Sequence, residues 1–228
     1  MNGEAMHELA DWLAAHAAGR SYLQLGGLGN PGLAHVPQAL RAGAASAIQM
    51  EPAPRPPEAW GALQAACAPH GRRFTAMTLD PCDAHALARR LGFIDVIHVT
   101  QLFHERDPYL LLARLDRHAR RHLIVTSVVV PEGLAEGDAV AGYAPDDPRL
   151  ATVRQVLAAR GVALDQFARP PDHIAPGGIA TWEGMWNWFH TEAALRRLVG
   201  HFGWRISHAF RSWGDLGLTL VAGRGGLP

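Results

Sequence analysis

The sequence predicts an α/β fold, a doubly wound and mostly parallel sheet. Short apolar runs alternate with helix-forming segments from residue 4 to residue 130, the pattern of parallel strands joined by helical crossovers. The run at 122–130 is apolar and rich in β-branched residues, as a strand covered on both faces requires. The first apolar run stops at the glycines Gly26, Gly27 and Gly29, and helix-forming sequence follows. A strand that ends in glycines before a helix lets backbone approach a ligand and aims amide N–H groups at it.

In chain order, Met6, Leu9, Trp12 and Leu13 recur at helical spacing, so a helix is expected over 4–18. The first strand is 22–25, the first crossover helix 33–42 and the second strand 45–50. That second run leads into Glu51, about 25 residues after Gly26. An acid at the tip of the second strand is placed to accept hydrogen bonds from a ribose diol, which points to a nucleoside-type ligand. Residues 51–57 contain four prolines and read as a stiff loop, with a helix resuming over 58–68. The third strand is expected over 73–79, ending at Asp80, and a helix capped by Asp83 over 83–91. The fourth strand is 93–99. Asp107 and Pro108 then begin a helix reaching 118, and the fifth strand is 122–130. Residues 131–178 break the rhythm with Gly, Pro and Asp and read as an insertion holding one helix, 147–160. A helix over 191–202 and a strand pair, 204–210 and 216–222, close the chain. The whole reads as one domain, 1–228, with 131–178 as a cap inside it.

Composition narrows the function. The formal net charge is zero, which weighs against a protein whose main task is gripping nucleic acid. The sequence contains no Lys, so a lysine nucleophile or Schiff base is ruled out. Cys67 and Cys82 lack metal-type spacing and read as reduced thiols. With neither a signal peptide nor a membrane-length apolar run, the expectation is a cytoplasmic protein.

The ordered segments resemble the class I S-adenosylmethionine-dependent methyltransferases over nearly the whole chain. Gly26, Gly27 and Gly29 stand where that family has its glycine loop, and 42–52 is similar to its second-strand motif with the ribose-binding acid, here Glu51. Leu79 and Asp80 resemble the end of its third strand, whose acid faces the adenine amino group. Residues 93–108 are the most specific match, a fourth strand running through Thr100 into a loop that bears His104 and then an Asp-Pro helix start. Residues 188–195, followed by Phe202 and Gly203, resemble the segment leading into the late helix and sixth strand. The resemblance implies a seven-stranded sheet with an antiparallel last strand, and S-adenosylmethionine as cofactor. It implies a cofactor set of Gln24, Gly26, Gly27, Gly29, Glu51, Asp80 and Thr100. Gln24 departs from the family, which has an acid in that place.

The expected activity is methyl transfer to an oxygen or nitrogen of a small molecule, with His104 and then His190 as candidate general bases. Trp182, Trp186 and Trp188 read either as walls of the acceptor pocket or as core of the cap. His104, Glu105 and Asp107 do not have the spacing of a ligand set, so no metal is expected. His98, inside a strand, reads as a satisfied core histidine, and Asp95 as a local cap. A tRNA acceptor and a homodimer stay open. The rival reading is a degenerate methyltransferase-like protein serving as a scaffold or cofactor-independent enzyme; Gln24 and the glycine run interrupted by Leu28 and Asn30 favour it.

Overall fold

The computed structural model describes residues 4–28, 35–100, 102–105, 107–134, 139–143, 147–163, 186–212 and 215–225. Helix α1 (Glu4–His16) precedes β1 (Ser21–Leu25), α2 (Val36–Arg41), β2 (Ser46–Glu51) and α3 (Pro57–Cys67). Then come β3 (Phe74–Thr78), α4 (Ala84–Arg90), β4 (Ile94–Val99), α5 (Pro108–Asp116) and β5 (Ala119–Val130). The late elements are β6 (Ala139–Tyr143), α6 (Ala151–Ala158), β7 (Trp186–Thr191), α7 (Glu192–His201), β8 (Trp204–Ser212) and β9 (Gly217–Arg224).

Strands β3, β2, β1, β4 and β5 lie side by side in parallel. β9 pairs antiparallel with β5, and β8 antiparallel with β9. These seven strands are the expected doubly wound sheet with one antiparallel member. Among the described residues the sheet has nine strands, however, rather than the seven expected. The two extra strands pair with each other and extend the sheet: β6 pairs antiparallel with β7, and β7 joins the tip of β5 through Val129 and Val130. β5 reaches both partners because its 12 residues outrun β4 and β9.

Alternation along the strands sends side chains to two cores. Leu23, Leu25, Ile97, Val99, Leu123 and Val125 pack under α4, α5 and α7. Tyr22, Val96 and Ile124 face α1, α2 and α3. Leu111, Leu112 and Leu115 of α5 are fully buried, each worth roughly 1.5–3 kcal/mol against exposure. A third cluster, with Leu150, Val153 and Leu157, packs α6 and the turn before it on Val128, Val130 and Phe189.

The caps sit where the side chains dictate. Asp83 accepts from the amides of His85 (3.0 Å) and Ala86 (2.9 Å), and Asp107 from Leu110 (2.8 Å). Thr191 caps α7 by accepting from Ala194 N at 3.2 Å. Asp95 is not the local cap expected of it: it accepts from the amide and hydroxyl of Ser21 on the neighbouring strand β1. No described helix is long and apolar enough to cross a membrane.

Candidate cofactor and active site

At the carboxyl end of β1 the chain turns on two left-handed residues, Gly26 (φ +76°) and Gly27 (φ +83°). A Cβ on Gly26 would lie 3.1 Å from Thr100 Oγ1 and 3.4 Å from the Thr100 carbonyl, so both conformation and space call for glycine. The turn is held on every side. Gly26 N donates to the Met50 carbonyl (2.8 Å), and the Thr100 amide (3.0 Å) and hydroxyl (2.8 Å) both donate to Leu25 O. The Gly26 carbonyl accepts from Gln24 Nε2 (3.0 Å) and Gln49 Nε2 (2.8 Å). Gln24 Oε1 in turn accepts from the His35 amide at 2.9 Å, tying the start of α2 to β1.

Glu51 ends β2 fully buried. Its Oε1 accepts from the Leu28 amide (3.0 Å) and Gln49 Nε2 (2.8 Å), and its Oε2 from Arg55 Nε (2.7 Å). The acid therefore already bridges the glycine turn and the proline-rich loop. Asp80 is exposed in the turn after β3, where its Oδ1 accepts from the Cys82 amide at 2.8 Å. Gln24, Gly26, Gly27, Glu51 and Thr100 thus meet in one bonded unit, with Asp80 on the rim two strands away. Gly29 lies outside the described residues.

Beneath this unit, on the face toward α1–α3, runs a row of buried polar side chains. In β1, β2 and β4, Gln24 stands in register with both Gln49 and His98. The row continues from His98 Nε2 to Thr126 Oγ1 (3.0 Å) and from there to Thr219 Oγ1 (2.9 Å). The Tyr22 hydroxyl is 3.0 Å from His98 Nδ1. Burial, and then the neighbouring His35, hold the His98 imidazole well below its ordinary pKa. His98 is thus the satisfied core histidine expected from its position. Gln49 and Arg55 were not among the sequence-derived site residues. A signal existed for Gln49: two glutamines in otherwise apolar strands, each one or two residues before the strand end.

The candidate bases sit on neighbouring supports. His104 closes a 3₁₀ turn, 102–104, that rests against β5 and β7, and its ring lies 4.1 Å from that of Phe103. His190 is in β7, with the Trp188 ring two residues back stacked at 5.7 Å. Both histidines are buried. Burial pushes the His190 imidazole down to about 4, and its Nδ1 has no hydrogen-bond partner among the described residues. Trp182 and the side chain of Trp186 lie outside the described residues. Among the described residues no three His, Cys, Asp or Glu side chains gather as metal ligands.

A cavity of about 390 Å³ opens beside the tip of β5, lined by Val129, Val130, Glu132, Arg160, Glu192 and Arg211 among others. It is separate from the glycine turn and next to the strand that carries His190. Its lining is strongly charged; Glu192 pairs with both Arg196 and Arg211.

No protein-family model matches the sequence, and no curated protein matches it. Solved structures do match. The magnesium protoporphyrin IX methyltransferase of Synechocystis PCC 6803, solved with bound SAH, is similar at a TM-score of 0.58 and 19% identity, over 97% of this chain and 83% of that one. The 1,6-didemethyltoxoflavin-N1-methyltransferase of Burkholderia thailandensis, solved with bound 1,6-didemethyltoxoflavin and S-adenosylhomocysteine, is similar at a TM-score of 0.59 and 14% identity, over 99% of this chain and 80% of that one. The chain has the class I methyltransferase fold.

Proposed function

We propose that the protein transfers a methyl group from S-adenosylmethionine to an oxygen or nitrogen of a small molecule. The observation that carries this reading is the bonded unit of Gly26, Gly27, Leu28 and Glu51, a close-approach turn with a buried acid attached to it. These residues fit the cofactor. The glycine turn leaves room where a Cβ would collide with Thr100, and the Glu51 carboxylate at the tip of β2 suits a ribose diol. Asp80, exposed on the rim, suits the adenine amino group.

Bound there, S-adenosylmethionine would supply an electrophilic methyl for an acceptor lone pair, with its sulfur as the leaving group. The chain's part is alignment, water exclusion and removal of the acceptor's proton. His190 is neutral at pH 7 because burial depresses its pKa, and Nδ1 is free to take that proton. His104, on the turn against β7, is the other base. The charged cavity beside β7 suits a polar acceptor.

The test is calorimetric titration of the wild type and Glu51→Ala with S-adenosylmethionine and S-adenosylhomocysteine. Micromolar binding, weakened at least about tenfold in the variant, is the expected result. Absence of binding by folded wild type overturns the reading. That outcome would favour the scaffold alternative, to which one observation speaks directly: the chain's own donors already take three of the four lone pairs of the Glu51 carboxylate.

A further inference from the structure

The ion pair of Glu51 and Arg55 lies at the tip of β2, where the cofactor reading puts the ribose. Side-chain exposure is 0% for Glu51 and 9% for Arg55, at an Nε–Oε2 separation of 2.7 Å. A carboxylate oxygen has two lone pairs to offer. Both of those on Oε1 are used, by the Leu28 amide and the Gln49 amide nitrogen. Both of those donors also build the site, Leu28 as the end of the glycine turn and Gln49 as a clamp on the Gly26 carbonyl. Oε2 is the remaining oxygen, and Arg55 covers it. Arg55 takes one of the two lone pairs of Oε2, so a ribose diol, with two hydroxyls to place, bonds Glu51 through both only by displacing the guanidinium.

We propose that Arg55 is a built-in competitor for the ribose end of the nucleoside site, so that cofactor affinity is set by how readily the Arg55–Glu51 pair opens. This deepens the cofactor reading above and rests on it. The pair opens by movement of the Arg55 side chain. The loop around it is stiff: Pro52, Pro54, Pro56 and Pro57 fix φ at four positions. A stiff backbone returns the guanidinium to the same place once a ligand leaves. Arg55 acts on affinity through population, because a site competent for a fraction of the time binds more weakly by that fraction.

The experiment is calorimetry with S-adenosylhomocysteine on the full chain as wild type, Arg55→Gln and Arg55→Lys, with melting temperatures measured alongside. Arg55→Gln is expected to bind about tenfold tighter, as for a site one-tenth open in the wild type, while melting at a lower temperature. The fall in melting temperature follows because Glu51 loses its counter-ion. An arginine with only a structural role lowers both quantities together. The gain should shrink for the 2′-deoxy analogue of the nucleoside, which presents one hydroxyl fewer. A folded Arg55→Gln that binds equally or more weakly overturns the proposal. Should that variant not fold, Arg55→Lys decides by the same criterion, tighter supporting and equal or weaker overturning. If wild type and both folded variants all fail to bind, the cofactor reading itself falls.

Discussion

Tyr22 and His98, neighbours on β1 and β4, are joined at 3.0 Å between the phenolic oxygen and Nδ1 in the fully buried middle of the sheet. The other ring nitrogen contacts Thr126 at 3.0 Å. Burial raises the Tyr22 pKa and depresses that of His98, so both are neutral. One imidazole nitrogen donates and the other accepts, and removing either hydroxyl strands a buried ring nitrogen. Tyr22→Phe is expected to cost about 1–3 kcal/mol in urea unfolding. Thr126→Val should cost a similar amount, and the double variant less than the sum, since the two act on one network. Strict additivity would show that the ring is not the link.

Acid should loosen the fold earlier than carboxylate titration alone predicts. His122 is held down to about 4 by burial first, then by Arg20 and His16, with Arg121 adding to these and Asp95 opposing. His190 is held down to about 4 by burial. The unfolded chain therefore binds protons that the folded chain refuses. Stability is full above the unfolded value near 6.5 and falls as pH drops from there toward 4. Melting temperature followed from pH 8 to pH 4 should decline across that window. His122→Gln, which keeps an acceptor for Arg20, should flatten the decline. An unchanged slope in the variant removes His122 from the account.

Gly26→Ala tests the turn. The residue has φ +76° and its Cβ would meet Thr100 Oγ1 at 3.1 Å. A left-handed alanine costs about 1–2 kcal/mol before any collision is counted, and Thr100 cannot yield without losing its bonds to Leu25 O. Thermal unfolding should show at least that loss, together with weaker binding of S-adenosylhomocysteine. Gly19 also has a positive φ but nothing within 4 Å of its Cβ. Gly19→Ala should therefore show the conformational cost alone and leave nucleoside binding intact.

Much of this was legible in the sequence where the signal is local. Asp83 and Asp107 cap the helices that their positions in the sequence imply, and β4 and β9 fall within a few residues of their apolar runs. β6 was not legible. Residues 139–143 carry two alanines and a glycine among turn formers and form a strand because β7, more than 40 residues later, pairs with them. Arg55 escaped for a related reason. In a proline loop no helical i,i+4 geometry is implied, yet the pair with Glu51 forms at that spacing. The two bonds by which the Gln24 side chain holds backbone of the glycine turn and the start of α2 were equally hidden, because His35 lies 11 residues further along the chain.

His190→Gln separates chemistry from binding. His190 is buried beside Trp188, and its Nδ1 has no partner among the described residues. Loss of a positioned base lowers a transfer rate about 10²–10⁴-fold. The expected result, once an acceptor is in hand, is a single-turnover rate reduced in that range with S-adenosylhomocysteine affinity unchanged. His104→Gln is measured in parallel, and whichever variant keeps the wild-type rate is not the base. In the wild type a base held at about 4 gives a rate that holds from neutrality downward and fails as pH falls through that value.

Gln24→Glu asks whether the glutamine is a degraded acid or a part suited to its place. Gln24 Nε2 donates to the Gly26 carbonyl at 3.0 Å, and Gln24 Oε1 accepts from the His35 amide at 2.9 Å. A carboxylate keeps the second bond and loses the first, placing an anionic oxygen against a carbonyl oxygen in a fully buried position. Gln49 still donates to that carbonyl, so the turn should survive, but the buried repulsion should cost about 1–3 kcal/mol. Introducing the acid is thus expected to lower the melting temperature and to leave nucleoside affinity no better. A variant that is equally stable and binds S-adenosylhomocysteine more tightly would mean that the site lacks only its charge. Glutamine would then be a loss, rather than the donor that this glycine turn requires.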